Sequence, residues 1–283
     1  MKKIITCLDG SEISMAVSDA GNWAANKLSL PLLLLHTIEK TPQHGADDYT
    51  GAIGLGANSS LLEEMTKLDE KKGKLALQLG NELLESLASK ARENGITSVE
   101  TMQRHGDIVD VLMELESKTR LTVIGRKGSD HQKEFKAIGS HIETLLRKAS
   151  QPVLIVPETF TQPKSFMIAY DGRESADRAL QKVLDGGLLH DLDCHLVAIK
   201  NNEADLKIKF DNAVAQLTER GLNVTTVLLE GNIGESLTNY QTENNIDLIV
   251  MGAFGHSKLR QFFVGSNTLK MLESVNIPLI ILR

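Results

Sequence analysis

KKIITCLDG at residues 2–10 returns as KSFMIAYDG at residues 164–172. Each is a short apolar run ending in Asp-Gly, and each is followed by Glu and Ser: Glu12 and Ser14, then Glu174 and Ser175. Further out, LTVIGRKG (121–128) answers DLIVMGAFG (247–255), and QPVLIVP (151–157) answers IPLIILR (277–283). The chain is written twice, and a repeat on this scale decides the architecture before any single motif does. Asp9 and Asp171 lie 162 residues apart, whereas Gly125 and Gly252 lie 127 apart, so the second copy is about 35 residues shorter inside. Matching Gly106 with Gly231 places that loss before the third strand, at the counterpart of TPQHGADDYTGAIGLGANSS (41–60) and part of the helix behind it.

Within each copy, strand-like and helix-like segments alternate. Copy one predicts strands near 2–8, 31–38, 97–103, 121–125 and 152–156, with helices near 12–28, 61–94, 107–118 and 139–149. Copy two predicts strands near 165–170, 193–199, 223–229, 247–252 and 278–282, with helices near 174–186, 203–220, 233–244 and 265–275. Most strands are unbroken β-branched or leucine runs, which suits a parallel sheet covered on both faces and joined by right-handed crossovers. In the 61–94 helix, Leu62, Met65, Leu68, Leu75, Leu79, Leu83 and Leu87 fall mostly at helical spacing, and Gly95 is the stop signal. Its Glu/Lys-rich part, 63–74, reads as a solvated face. PETFTQPK (157–164), with two prolines, reads as a linker between domains spanning 1–157 and 164–283.

The chain has 283 residues, 41% hydrophobic and 24% charged, with a net charge of −6. That balance suits globular domains and excludes a broad basic surface for duplex nucleic acid or anionic membrane. Aromatics at 4% leave few platforms for stacking single-stranded bases. The most apolar run, Leu28 to Ile38 around the four leucines Leu32 to Leu35, is about half the length of a membrane-spanning helix. Lys2-Lys3 followed by an apolar run looks like the start of a signal peptide, but Asp9 to Glu12 interrupt it too early. Two cysteines, Cys7 and Cys194, form no disulfide framework, and reduced thiols in the cytoplasm are the expectation. Both read as inert small hydrophobes within strands.

Chemistry concentrates in copy two. The strand ending at Met251 runs into Gly252-Ala-Phe-Gly255, and nine residues later Gly265-Ser266-Asn267-Thr268 opens an amphipathic helix. Glycines let a ligand approach the backbone, and a helix N-terminus offers unpaired N–H groups and a positive dipole end. Ser266 and Thr268 add hydroxyls, and Lys258 and Arg260 in the intervening loop carry charge that could reach phosphates. In a doubly wound sheet the ligand crevice lies at the carboxyl ends of the strands where their order reverses, so Asp171 and Gly252 should face one cleft. An alternative assigns Asp9 and Asp171 to helix capping and the glycines to a tight turn. No Gly-x-x-x-x-Gly-Lys-Ser/Thr loop and no Gly-x-Ser-x-Gly elbow is present. With no placed general base, any ATPase activity should be slow.

Taken together, the strand-Asp-Gly-x-Glu-x-Ser opening, Gly-x-x-Gly, the nine-residue spacer, Gly-Ser and the final Pro-Val/Leu-Leu/Ile-Ile strand resemble the universal stress protein family over the whole chain, as two tandem family domains. The resemblance implies, in each domain, a doubly wound five-stranded parallel sheet of order 3-2-1-4-5 with helices on both faces. In the nucleotide-binding branch it implies ATP at this loop, with or without magnesium. On that pattern Tyr170, Asp171 and a residue near Val197 take the base side, and Met251 and Gly252 line the ribose. Gly255, Gly265, Ser266, Asn267 and Thr268 surround the phosphates. It also implies that the last strands of paired domains join edge to edge, here 152–156 with 278–282, and that tandem chains associate as homodimers. A nucleotide-free interaction scaffold is the alternative function, and a weaker third is an enzyme of the related adenine-nucleotide α-hydrolase group.

Copy one departs from the pattern. Asp9, Gly125, Gly128, Gly139 and Ser140 hold the matching places, but ten residues separate Gly128 from Gly139. Glu143 occupies the helix's first turn and Asp130 and Glu134 the loop, which disfavours an anion, while Arg126 and Lys127 push the other way. Copy two is therefore expected to be the better nucleotide site.

Overall fold

The computed structural model describes residues 1–38, 55–126, 140–201, 205–252 and 266–283. Domain 1 runs β1 (Lys3–Leu8), α1 (Ser14–Leu28), β2 (Leu32–Ile38), α2 (Leu55–Glu93), β3 (Val99–His105), α3 (Ile108–Leu115), β4 (Thr119–Gly125), α4 (Ser140–Lys148) and β5 (Val153–Val156). Domain 2 repeats it as β6 (Ser165–Tyr170), α5 (Glu174–Leu184), β7 (Asp193–Ile199), α6 (Leu206–Glu219), β8 (Val224–Leu229), α7 (Ile233–Glu243), β9 (Ile249–Gly252), α8 (Ser266–Ser274) and β10 (Leu279–Leu282). The ten strands of the described residues form one sheet, in the order β3-β2-β1-β4-β5-β10-β9-β6-β7-β8. Each half is the doubly wound 3-2-1-4-5 arrangement of an α/β fold, read inward from its outer edge.

Every strand pair is parallel except the central one. There β5 and β10 meet antiparallel, with Leu279 opposite Ile155, Ile280 opposite Leu154 and Ile281 opposite Val153. The four-residue strands 153–156 and 279–282 are buried throughout. Left unpaired, such short apolar edges would invite association, and pairing them inside one chain removes that hazard. The outer edges, β3 and β8, are instead largely exposed or half-exposed. Charged Glu100 and Arg104 on β3 protect that edge, and Glu100 accepts an ion pair from Lys3 at 2.5 Å.

Alternation along each strand divides the core into two layers. Ile4, Leu32, Leu34, Val123, Leu154, Phe166, Ile168, Leu196, Val250 and Ile280 face α1, α2, α5 and α6. Ile5, Leu33, Leu35, Ile155, Met167, Val197, Met251 and Ile281 face α3, α4, α7 and α8. Helix α1 lies close enough to β1 that a Cβ on Gly21 would sit 2.1 Å from Thr6 Oγ1, so only glycine fits there. Trp23 on α1 packs on Phe160 of the linker, with ring centroids 5.8 Å apart, and pins the 157–164 segment to domain 1.

The repeat extends to the caps. Gly106 and Gly231 both adopt positive φ, +125° and +108°, and each hands over to an N-capping residue. Asp107 accepts from Val109 N at 2.8 Å and Asp110 N at 3.1 Å, and Asn232 accepts from Gly234 N and Glu235 N at the head of α7. Helix α2 begins six residues earlier than its periodicity predicts, spans 39 residues and stops before Gly95 (φ +89°). Among its residues of described burial, from Glu64 onward, the last turns enter the core, through Leu84, Leu87, Ala88 and Ala91. Met65, Leu68, Leu75 and Leu79, which share the helical spacing, are between 41% and 56% exposed. Helix α6, its counterpart, has only 14 residues, as the shorter second copy requires. Most of the 41–60 insertion lies outside the described residues.

Candidate functional site

Strands β6 and β9 are neighbours, pairing Ala169 with Met251, and β7 pairs Ala169 with Val197. Asp171 follows β6 and Gly252 ends β9 where the strand order reverses, with Val197 and Met251 buried in the adjoining strands. Val197 is fully buried and Met251 nearly so, both on the α7/α8 side of the sheet. Gly252 sits beneath the first turn of α5, where an added Cβ would lie 3.1 Å from the carbonyl oxygen of Ser175. Its lack of a side chain is what lets β9 end in contact with α5.

Tyr170 is placed differently from its neighbours. Its ring lies on the opposite face of the sheet, against Phe210, and its hydroxyl donates to Asp177 Oδ1 at 2.5 Å. Burial first, and then that carboxylate, push the phenol's pKa up. The structure does not bring the Tyr170 ring together with Val197 and Met251, because odd and even residues of a strand face opposite ways.

Asp171 shapes its own loop. Its Oδ1 accepts from Arg173 N at 3.0 Å, its Oδ2 lies 3.5 Å from Arg173 Nη1, and its carbonyl accepts from Asn201 Nδ2 at 2.9 Å. Gly172 follows with φ +75°, a conformation glycine adopts at little cost, and Lys209 Nζ donates to its carbonyl at 2.8 Å. Asp9 does the same in domain 1, accepting from Ser11 N, Ser11 Oγ and Ser14 Oγ at 3.0, 2.6 and 3.1 Å. Neither aspartate is the N-cap of the helix that follows. Those places belong to Ile13 and Arg173, and the aspartates act four and two residues earlier respectively, as Asx turns. Asn201 and Lys209 escaped the sequence reading because their role is to brace a backbone carbonyl, and no motif marks that.

Ser266 begins α8, and Asn267 and Thr268 complete its opening. Thr268 is buried, and no acidic residue stands in the first turn. In domain 1, Ser140 begins α4, but Glu143 stands in its first turn and ion-pairs with Arg147 at 3.6 Å. Gly125 ends β4 opposite Val156. Gly255 and Gly265 of copy two, and Gly128 and Gly139 of copy one, lie outside the described residues, together with Lys127, Asp130, Glu134, Lys258 and Arg260.

Arg126 corrects the sequence reading. Expected to favour an anion at the domain 1 loop, its guanidinium instead crosses the central seam to the C-terminal end of α8. It donates to Leu272 O at 3.3 Å, to Val275 O, and to Asn276 Oδ1 at 3.1 Å, with Glu158 at 3.5 Å. The unpaired carbonyls at a helix C-terminus carry the negative end of its dipole, which attracts this cation. Arg283, just beyond β10, answers symmetrically by donating to Arg147 O at the end of α4.

Comparison with known proteins fits this geometry. The model of the universal stress protein family matches twice, over residues 1–157 and 163–283. A universal stress protein of Synechocystis sp. is 30% identical over the full length of both chains. Among solved structures, a universal stress protein from Archaeoglobus fulgidus superposes with a TM-score of 0.70 at 18% identity, covering 99% of this chain and 98% of its own. A second, from Pseudomonas aeruginosa, reaches 0.62 at 15% identity over 100% and 93%. At such identities the superpositions establish the fold alone, while the double family match and the full-length relative establish kinship. The chain belongs to the universal stress protein family, as a tandem of two family domains.

Proposed function

We propose that domain 2 binds ATP at the carboxyl ends of β6, β7 and β9 as a regulatory ligand, with slow hydrolysis at most, in a cytoplasmic stress-response protein. The observation that carries this reading is α8: a helix opening Ser266-Asn267-Thr268 behind a glycine-rich loop, with no acid in its first turn and its far end held by Arg126. Neutralising the carbonyl end leaves the N-terminal N–H groups as the helix's uncompensated pole, suited to phosphate. Buried Val197 and Met251 offer the apolar wall a purine needs. Gly252, Gly255, Gly265, Ser266, Asn267 and Thr268 take the ribose and phosphates, and Asp171 stands at the base or ribose side. Tyr170 contributes through its backbone position alone.

Among the described residues no group of three or more His, Cys, Asp or Glu converges. Magnesium therefore enters as the triphosphate's own counter-ion, with Asp171 the carboxylate at hand. Domain 1 is the weaker site, since Glu143 opposes an anion at α4 and Arg126 is spent on α8.

Equilibrium dialysis with radiolabelled ATP tests the assignment. Wild type should bind and Gly265→Asp should not, because a carboxylate would stand where phosphate belongs; equal binding by the variant refutes the site.

A second reading, an interaction scaffold that forms homodimers of tandem chains without nucleotide, draws on the exposed Met65, Leu68, Leu75 and Leu79 of α2. With β5 and β10 already paired to each other, such a homodimer would use a surface other than the last strands. Mass spectrometry of freshly purified protein separates the two readings: co-purified adenine nucleotide favours the first, and none, with no thermal shift on adding ATP, the second.

A further inference from the structure

Helix α2 docks on the sheet by one face and leaves an apolar seam on another. Ala76 and Gly80 turn toward the body, where Gln103 Nε2 donates to Leu77 O at 3.3 Å. A Cβ on Gly80 would lie 2.0 Å from that same nitrogen, so helix and β3 are in close contact there. Met65, Leu68, Leu75 and Leu79 lie roughly a third of a turn further round and are all exposed. With Lys72 between them, positions 65, 68, 72, 75 and 79 alternate by three and four residues, the spacing of a coiled-coil seam. Residues 64–72 are exposed on every side, so this part of the helix stands clear of the sheet.

The fold does not need this arm, since α6 holds the same place in domain 2 with 14 residues. A helix is marginal in water until an apolar face is packed, and contiguous exposed apolar side chains mark a contact surface. Charge shows what fits the seam. Residues 64–70 carry Glu64, Asp69 and Glu70 against Lys67 alone, whereas residues 71–79 carry Lys71, Lys72 and Lys74 and no acid. The sign changes between Glu70 and Lys71, near the middle of the seam. A parallel copy would set acid on acid and base on base; an antiparallel copy sets each half against its opposite. The arm is therefore complementary to itself.

We propose that α2 pairs antiparallel with α2 of a second copy of this chain, about a two-fold axis beside Glu70. Rotation about that axis sets Met65 opposite Leu75 of the second copy and Leu68 opposite its Lys72. The one lysine of the seam lays its stem over the facing leucine and keeps its ammonium in water, which fixes the register. This contact rests on the homodimer of the second reading and gives it a surface, but it does not require the nucleotide cleft of domain 2 to be empty.

Sedimentation velocity of the full chain, with and without ATP, tests it. Wild type should be a dimer at micromolar concentration, and Leu68→Asn combined with Leu75→Asn should raise the dissociation constant at least tenfold. Trp23 fluorescence should give that variant the urea midpoint of dissociated wild type, because both leucines are exposed. Under mild oxidation, Met65→Cys chains mixed with Leu75→Cys chains should cross-link, and neither should cross-link to itself, since like positions stand about 15 Å apart along the axis. Cys7 and Cys194 are buried and stay out of the reaction. A monomer at every concentration overturns the contact and the homodimer together. A dimer that the asparagines leave intact overturns the contact alone and leaves the homodimer to another surface. Self-cross-linking of either cysteine variant shows parallel pairing and overturns it as well. None of these results bears on the ATP dialysis.

Discussion

Arg126 donates to the carbonyl of Leu272 at 3.3 Å across the central seam, so a residue at the start of the domain 1 loop caps the helix that opens the domain 2 site. Hydrogen bonds from a charged donor are worth about 1.5–3 kcal/mol each when partly buried, and three converge here. Their sum falls short of additive, because one guanidinium makes them all. Arg126→Ala should cost about 2 kcal/mol in urea unfolding. It should also weaken ATP binding, since α8 loses its anchor; dialysis beside denaturation separates the two effects.

Gly252→Ala should be poorly tolerated. The new Cβ would lie 3.1 Å from the Ser175 carbonyl oxygen, a backbone atom that moves only with the start of α5. Overpacking of this kind costs about 1–3 kcal/mol. Denaturant titration should show that loss, with nucleotide affinity falling because β9 and α5 flank the same cleft.

Leu154 faces Ile280 at the middle of the seam, and both are almost completely buried. Leu154→Ala should cost about 2–5 kcal/mol, the range for a core leucine, and should lower the cooperativity between domains. Two unfolding transitions in place of one, followed by tryptophan fluorescence of Trp23 and by far-ultraviolet circular dichroism, would report the uncoupling. An unchanged single transition would mean the seam contributes little.

Alkali should destabilise the fold before it harms the peptide. Burial pushes the thiols of Cys7 and Cys194 from 9.0 up to about 12. Groups held protonated in the native state contribute stability that is complete below their unfolded value and is lost as pH climbs toward the folded one. The urea midpoint should therefore fall between pH 9 and pH 12, and neither thiol should react with a disulfide reagent at pH 8 until the chain is unfolded.

Acid should act through histidine. Burial lowers the pKa of His36, beside Gln103, and of His195, whose Nδ1 lies 2.8 Å from the Tyr240 hydroxyl. A histidine depressed in the folded state stabilises it above 6.5 and loses that contribution as pH falls. Stability should decline below about pH 6.5, and His195→Gln should flatten the decline.

Much of this was legible in the residues. Two Asp-Gly landmarks, the Gly106 and Gly231 pair and the two closing apolar strands are enough to lay out both domains, since each marks a local backbone event that recurs in the same order in both copies. Where the reading slipped, side-chain direction or long-range contact decided. Tyr170 adjoins the cleft in sequence yet faces the other layer, because a strand alternates. Arg126 belongs to one domain's loop and serves the other's helix, 146 residues away. The leucines of α2 repeat at helical spacing, but spacing does not tell a buried face from one with nothing against it.

One consequence of the antiparallel seam concerns access. Parallel strands share a direction within each domain, and the two directions are opposed across β5 and β10. The loops that follow the strands of domain 1 thus emerge at one rim of the sheet, and those of domain 2 at the other. A protein seated over one set of loops is screened from the second by the full height of the sheet, so the two halves of this molecule can be engaged from opposite sides at once.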